Sequence, residues 1–197
     1  DLTSSNREVE DFTRLIGKDI KGLKIALPNY CVSEVIDLEI KRKVYEVVDL
    51  LKNLGATVSC VDIDYIEYAI PLYQIIALAE ASSNLARYDG IKFGYQTKEY
   101  ATLDEMYKKT RTEGFGDEVK RRLMIGSYVL SGNNANLYYN KALKVRNAMK
   151  ESFEHIFKDY DLIISPTTAS VAYKIGQSNI DELKSFFDDI LTIPANM

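Results

Sequence analysis

Tryptophan is absent from this 197-residue chain, histidine occurs once and cysteine twice. Each scarcity excludes a kind of chemistry. Cys31, Cys60 and His155 cannot make a zinc site of the usual kind, which takes four ligands, commonly in closely spaced pairs. A Ser-His-Asp or Cys-His relay would have to use His155, which sits among Lys150, Glu151, Glu154 and Lys158 on a charged helix. That position is expected at the surface, whereas a catalytic base is oriented by a third group in a shielded site. No apolar signal segment opens the sequence, so both cysteines are expected to be reduced and buried. No run of about 18 apolar residues exists, and no membrane-spanning helix is expected. The net charge of −4 gives no reason to expect a nucleic-acid surface. Only four prolines are present, and no stretch is rich in Pro, Gly and Ser. No interior linker or repeat is visible, and one unit is expected over 1–197. What remains, 46% hydrophobic and 27% charged residues, is an ordinary globular balance.

The chain reads as an alternation of strands and helices. Lys24–Pro28 is a short apolar run closed by proline, the pattern of a buried strand. Leu38, Ile40, Val44, Val47, Val48 and Leu51 mark an amphipathic helix over Asp37–Asn53, which Gly55 stops. Ala56–Ile63 is rich in β-formers. Strand, helix, strand in this order favours parallel pairing. Pro71–Arg87 predicts a second long helix, with Leu72, Ile75, Ile76, Ala79 and Ser83 on one face. Its small residues (Ala77, Ala79, Ala81, Ser82, Ser83) permit close approach of another backbone. A polar connection over Tyr88–Tyr100 precedes a short helix over Leu103–Thr112. Gly132-Asn133-Asn134 makes a turn. Leu137–Phe157 predicts a charged helix with Leu143, Met149 and Phe153 on its apolar face. Asp161–Pro166 reads as another buried strand. Asn179 and Glu182 form a capping-box pattern ahead of a helix with Ile180, Leu183, Phe186, Phe187, Ile190 and Leu191 as its apolar face. The fold class expected is α/β, a mixed or parallel sheet flanked by helices, with strands near 24–28, 57–63 and 161–165.

One helix carries the chemistry. After the Gly114–Gly116 turn, acids occupy the first turn, and Phe115, Val119, Leu123, Gly126, Val129 and Leu130 share a face at about 100° per residue. Arg122 falls within about 40° of the centre of that face by the same count, and Arg121 near the opposite side. A buried guanidinium is costly unless an anion meets it. Two readings fit. Glu118, four residues earlier, pairs with Arg122, and Asp117 does the same for Arg121. Alternatively, Arg122 is a planar fork waiting for a ligand carboxylate. At the far end of the chain, Asp188 and Asp189 close a helix, where acids oppose the macrodipole. Asp188 has Lys184 four residues earlier; Asp189 has no such neighbour.

The stretch "EGFGDEVKRR" (Glu113–Arg122) resembles the amidase signature family, and within it the A subunits of tRNA-dependent amidotransferases. "DFTRLIGKDIKGLKIALP" (Asp11–Pro28), "AEASSNLARYDGIKFGY" (Ala79–Tyr95), "YDLIISPT" (Tyr160–Thr167) and "LTIPAN" (Leu191–Asn196) agree, in the family's order. The resemblance covers essentially the whole chain. It implies part of the amidase-signature fold. It also implies that the family's catalytic lysine and two serines lie before Asp1, so that 1–197 is a central and C-terminal piece with no catalytic residue of its own. For the site it implies that Arg122 binds a substrate α-carboxylate, Asp189 binds its α-ammonium, and Tyr73 lines the pocket. One departure stands out: Asn134-Ala135-Asn136 replace a Tyr-Tyr-Asp cluster ahead of Tyr138-Tyr139.

By the same resemblance, the parent enzyme hydrolyses glutamine and passes ammonia to a partner. That partner amidates glutamyl-tRNA(Gln), or aspartyl-tRNA(Asn), using ATP. No cofactor or metal is expected in this chain; ATP and Mg are expected at the partner. The B and C subunits are the expected partners, with tRNA held mainly by B, in a cytoplasmic heterotrimer. Two rivals remain: a piece of an amidase-signature hydrolase acting on other amides, and a non-catalytic α/β interaction domain.

Overall fold

The computed structural model describes residues 4–176 and 189–197. Its centre is strand β1 (Lys24–Pro28), flanked in parallel by β2 (Thr57–Val61) and β3 (Leu162–Ile163), in the order β2-β1-β3. Lys24 pairs with Thr57 and Pro28 with Val61 on one side; Ile25 pairs with Leu162 and Ala26 with Ile163 on the other. Ile25, Ala26 and Leu27 are all buried. Burial on both faces is why the strand is continuously apolar rather than alternating.

Successive strand residues point to opposite faces, and β1 divides the core accordingly. Ala26 belongs to a cluster with Leu72, Ile76, Met149 and Ile193. Leu27 belongs to another with Cys31, Val44, Val48 and Leu191. Helix α1 (Leu38–Asn53) supplies the second cluster, through Val44 and Val48. Helices α2 (Ala69–Leu85) and α5 (Asn140–Asp159) supply the first. The expected α/β arrangement is thus present, as a three-stranded parallel sheet with helices on both sides. Gly55 ends α1 as expected, at a φ of 92° that favours glycine.

Several local expectations are corrected. β3 is only two residues long and Leu162 is half exposed, so Asp161–Pro166 is not a buried strand. Ile164 adds one last bond, donating its N–H to the Ala26 carbonyl, before Pro166, which has no N–H to give. β2 ends at Val61, and Ile63 is buried beyond the strand. Cys31 is buried, but Cys60, on β2, is exposed. Val47 and Leu38 of α1 face solvent, and so does Ser83 of α2. Helix α2 begins before Pro71, which sits in its first turn, where an N–H has no intrahelical partner anyway. The Asn179–Glu182 cap, the helix through Ile180, Leu183, Phe186 and Phe187, and the Lys184–Asp188 pair lie outside the described residues.

Helix α3 (Leu103–Gly114) starts on Thr102, whose hydroxyl accepts the Glu105 N–H at 3.2 Å. Helix α4 (Asp117–Leu130) follows after Phe115-Gly116. It lies against α2 at backbone distance: a Cβ on Gly126 would fall 2.0 Å from the Leu78 carbonyl oxygen. Ser82 and Ser127 share a hydroxyl hydrogen bond of 2.9 Å across the same seam. Of the small residues of α2, Ser82 therefore serves close helix packing. Arg111 of α3 donates to the carbonyls of Leu85 and Tyr88 at the end of α2, and its guanidinium lies 5.0 Å from the Phe115 ring centre. These contacts fix α2, α3 and α4 as one unit.

The helix expected from Leu137 opens with a π-helical turn, Ala135–Tyr139, that runs directly into α5. Its start is where the sequence departs from the family pattern. Ala142, Met149 and Ile156 form the buried stripe of α5, with Leu143 and Phe153 partly buried beside it.

Candidate functional site

Helices α2 and α4 touch most closely at Gly126, and around this seam lies a groove of about 400 Å³. Tyr73, Leu78 and Ala81 line it from α2; Arg121, Arg122 and Ile125 line it from α4. Two of the three candidate residues, Tyr73 and Arg122, therefore come together. Both helix faces follow from sequence. Gly126 on α4 lets the backbones meet at Leu78, beside Ser82, and the side chains around that contact form the groove walls.

The expected split between the two arginines is corrected. Both side chains are 48% exposed, and both line the groove. Angular position on a helix predicts direction, but a long arginine stem carries its head out to water from an apolar face. The ion pairs also differ in part. Glu118 does pair with Arg122, accepting from Nε at 2.7 Å. Asp117 pairs with Lys120 at 3.0 Å, not with Arg121. Arg121 instead grips Glu118 through Nε and a terminal nitrogen, both at 2.8 Å. One carboxylate thus serves two guanidiniums. The hydrogen bonds from Arg121 and then Arg122 hold the Glu118 carboxyl down to about 2. Among the described residues, the two terminal nitrogens of Arg122 meet no partner.

Asp189 is exposed and does not line this groove. Its carbonyl accepts from the N–H groups of Thr192 and Ile193 at 3.0 and 2.9 Å, which starts the turn Ile193–Asn196. Among the described residues its carboxylate has no partner. His155 is at the surface, as expected.

A larger cavity, of about 750 Å³, was not anticipated from sequence. Tyr30 follows β1, and Ser165 and Thr167 follow β3; these three share its wall with Leu191, Thr192 and Asn196, while Met149 and Phe153 of α5 complete it. It sits at the carboxyl ends of parallel strands, where α/β sheets commonly receive ligands. Asp189 is separated from two of its wall residues, Leu191 and Thr192, by one and two positions. The available signal was the pair of strands that each lead to a proline, Pro28 and Pro166, and then to polar residues. Burial pushes up the Tyr30 hydroxyl and the Cys31 thiol beside it. Among the described residues, no group of three or more His, Cys, Asp and Glu could hold a metal ion. No described helix is long and apolar enough to cross a membrane.

The amidase family pattern matches residues 1–197. The chain is 49% identical to the A subunit of glutamyl-tRNA(Gln) amidotransferase from Lachnoclostridium phytofermentans, over 95% of this chain and 38% of that protein. It is 49% identical to the same protein from Halothermothrix orenii, over all of this chain and 41% of that protein. It thus spans about two-fifths of the length of the curated relatives it matches. Among solved structures, the A subunit of glutamyl-tRNA(Gln) amidotransferase from Thermotoga maritima matches with a TM-score of 0.71 and 35% identity, over 100% of this chain and 37% of that one. A bacterial aryl acylamidase of the amidase signature family shares the fold, with a TM-score of 0.65 at 21% identity, over 96% of this chain and 38% of that one. The chain belongs to the amidase family.

Proposed function

We propose that this chain supplies the amino-acid-binding part of a glutamine-hydrolysing amidase subunit. The observation that carries the reading is the meeting of Tyr73 and Arg122 in one groove, with the terminal nitrogens of Arg122 unpartnered among the described residues. Similarity at 44–49% identity to the A subunits of glutamyl-tRNA(Gln) amidotransferases supports it. A zwitterionic amino acid needs a cation for its carboxylate and an anion for its ammonium. Arg122 provides the first, with Tyr73 beside it in the groove; Asp189, which lies outside that groove, is the anion assigned to the second by resemblance alone. Charge-assisted bonds at that end of glutamine leave its side-chain amide free to meet a nucleophile.

In this reading the nucleophile is a serine, assisted by a lysine and a second serine, supplied from outside residues 1–197. It attacks the amide carbon, the C–N bond breaks, and ammonia leaves. Water then cleaves the acyl-enzyme to give glutamate. The ammonia passes to a partner that amidates glutamyl-tRNA(Gln) or aspartyl-tRNA(Asn), with ATP and Mg at that partner. The B and C subunits complete a cytoplasmic assembly, and B holds most of the tRNA.

The test is substitution of Arg122, Asp189 or Tyr73 in the full-length protein, in complex with its partners. Glutamine-dependent amidation falls and ammonia-dependent amidation stays, because free ammonia bypasses the pocket. Equal loss of both contradicts the reading.

A further inference from the structure

Glu118 divides its two oxygens unequally between the arginines. Arg121 bonds both oxygens, through Nε and a terminal nitrogen, in the bidentate fork geometry. Arg122 bonds one oxygen only, and only through Nε. The first contact anchors the carboxylate. The second fixes the plane and direction of the Arg122 guanidinium by its inner edge. The outer edge, with both terminal nitrogens, stays open, and it too can meet a carboxylate with two parallel bonds. The anchor persists at neutral pH because the Glu118 carboxyl titrates far below it.

We propose that Glu118 is the positioning residue that presents the outer edge of Arg122 to the carboxylate of an α-amino acid in the α2–α4 groove. The inference rests on the reading of Arg122 given above. Glu118 touches no ligand in this arrangement; it acts through Arg122. Its substitution therefore weakens capture of the amino acid and leaves the chemical step, which lies elsewhere, to proceed once the site is filled.

The test is a double-mutant cycle on the full-length protein in complex with its partners, reading KM and kcat for glutamine. Glu118→Ala raises KM fivefold or more with kcat changed less than twofold. Glu118→Gln keeps a carbonyl oxygen for the Arg122 Nε–H and gives a smaller rise. Adding Glu118→Ala to Arg122→Ala brings no further rise, since the group through which Glu118 acts is already gone. Lys108→Ala, on α3 and paired with Asp104, is the control for a surface charge. A KM within twofold of the parent in Glu118→Ala, alongside a raised KM in Arg122→Ala, overturns the proposal and leaves the reading of Arg122 intact. Additive effects in the double variant also overturn it. An unchanged KM in Arg122→Ala removes the reading and the proposal together.

Discussion

A Cβ placed on Gly126 would lie 2.0 Å from the Leu78 carbonyl oxygen, so the spacing of α2 and α4 is set by the absence of a side chain. The obstacle is backbone, which cannot swing aside. Gly126→Ala is therefore expected to push the helices apart and to destabilise the protein by about 1–3 kcal/mol, the usual cost of overpacking. Because Tyr73 and Arg122 sit on those two helices, the same substitution widens the groove. Urea unfolding registers the change, and on the proposed reading so does the glutamine KM of the assembled enzyme; an unaltered unfolding midpoint contradicts it.

Arg111 holds the last residue of α2, Leu85, and Tyr88 just beyond it through their carbonyls, at 3.2 and 3.1 Å. Arg111→Lys keeps the charge but loses the planar pair of donors and the stacking on Phe115. A loss of about 1–2 kcal/mol in unfolding free energy is expected, since hydrogen bonds to charged groups contribute at that scale. No loss would mean that α3 is held by its apolar contacts alone.

Met149 is among the largest fully buried side chains and belongs to the cluster that also holds Ala26 and Leu72. Met149→Ala is expected to cost about 2–5 kcal/mol through lost burial and the cavity it leaves. Met149→Leu, close in volume, is expected to cost less than about 1.5 kcal/mol. Equal costs for the two would show that the site collapses around any residue.

The strands and helices around β1 were legible because burial on two faces leaves a direct trace in sequence: Ile25, Ala26 and Leu27 without a polar break. The small residues of α2 likewise pointed to a close helix partner. The direction of Arg122 was not legible. Helical angle places a Cβ, but a guanidinium lies several bonds further out and goes where water and Glu118 draw it. The sharing of Glu118 by both arginines was also hidden, because spacing allows a pair at i,i+3 and at i,i+4 without excluding both at once. Tyr73 and Asp189 were singled out by resemblance, and only Tyr73 shares a groove with Arg122.

Glu118 gives a pH prediction. Its carboxyl is lowered from 4.5 to about 2 by the hydrogen bonds from Arg121 and Arg122. A group with a lowered folded value contributes stability that is present above its unfolded value and lost as pH falls through the folded one. The window is therefore about 4.5 down to about 2, and the effect is small because the pair is exposed. A carboxyl-carbon NMR titration is expected to place the Glu118 midpoint below those of unpaired glutamates. Arg121→Ala should raise it more than Arg122→Ala, since Arg121 supplies two of the three bonds. A midpoint in the ordinary glutamate range would show that the three-residue cluster does not persist in solution.

Both arginines are equally exposed and both bond Glu118, so the surface-charge control is Lys108→Ala, on α3 and paired with Asp104. The most direct test of the account compares Arg122→Ala with the parent in the assembled enzyme, using glutamine and then ammonia as the nitrogen source. A lost charge-assisted contact is worth about 1.5–3 kcal/mol, so glutamine-dependent kcat/KM should fall roughly ten- to a hundredfold. If the proposed reading holds, ammonia-dependent amidation should stay within about twofold of the parent, because free ammonia would bypass the groove. Equal losses with both nitrogen sources would show that Arg122 holds the structure together and binds no substrate.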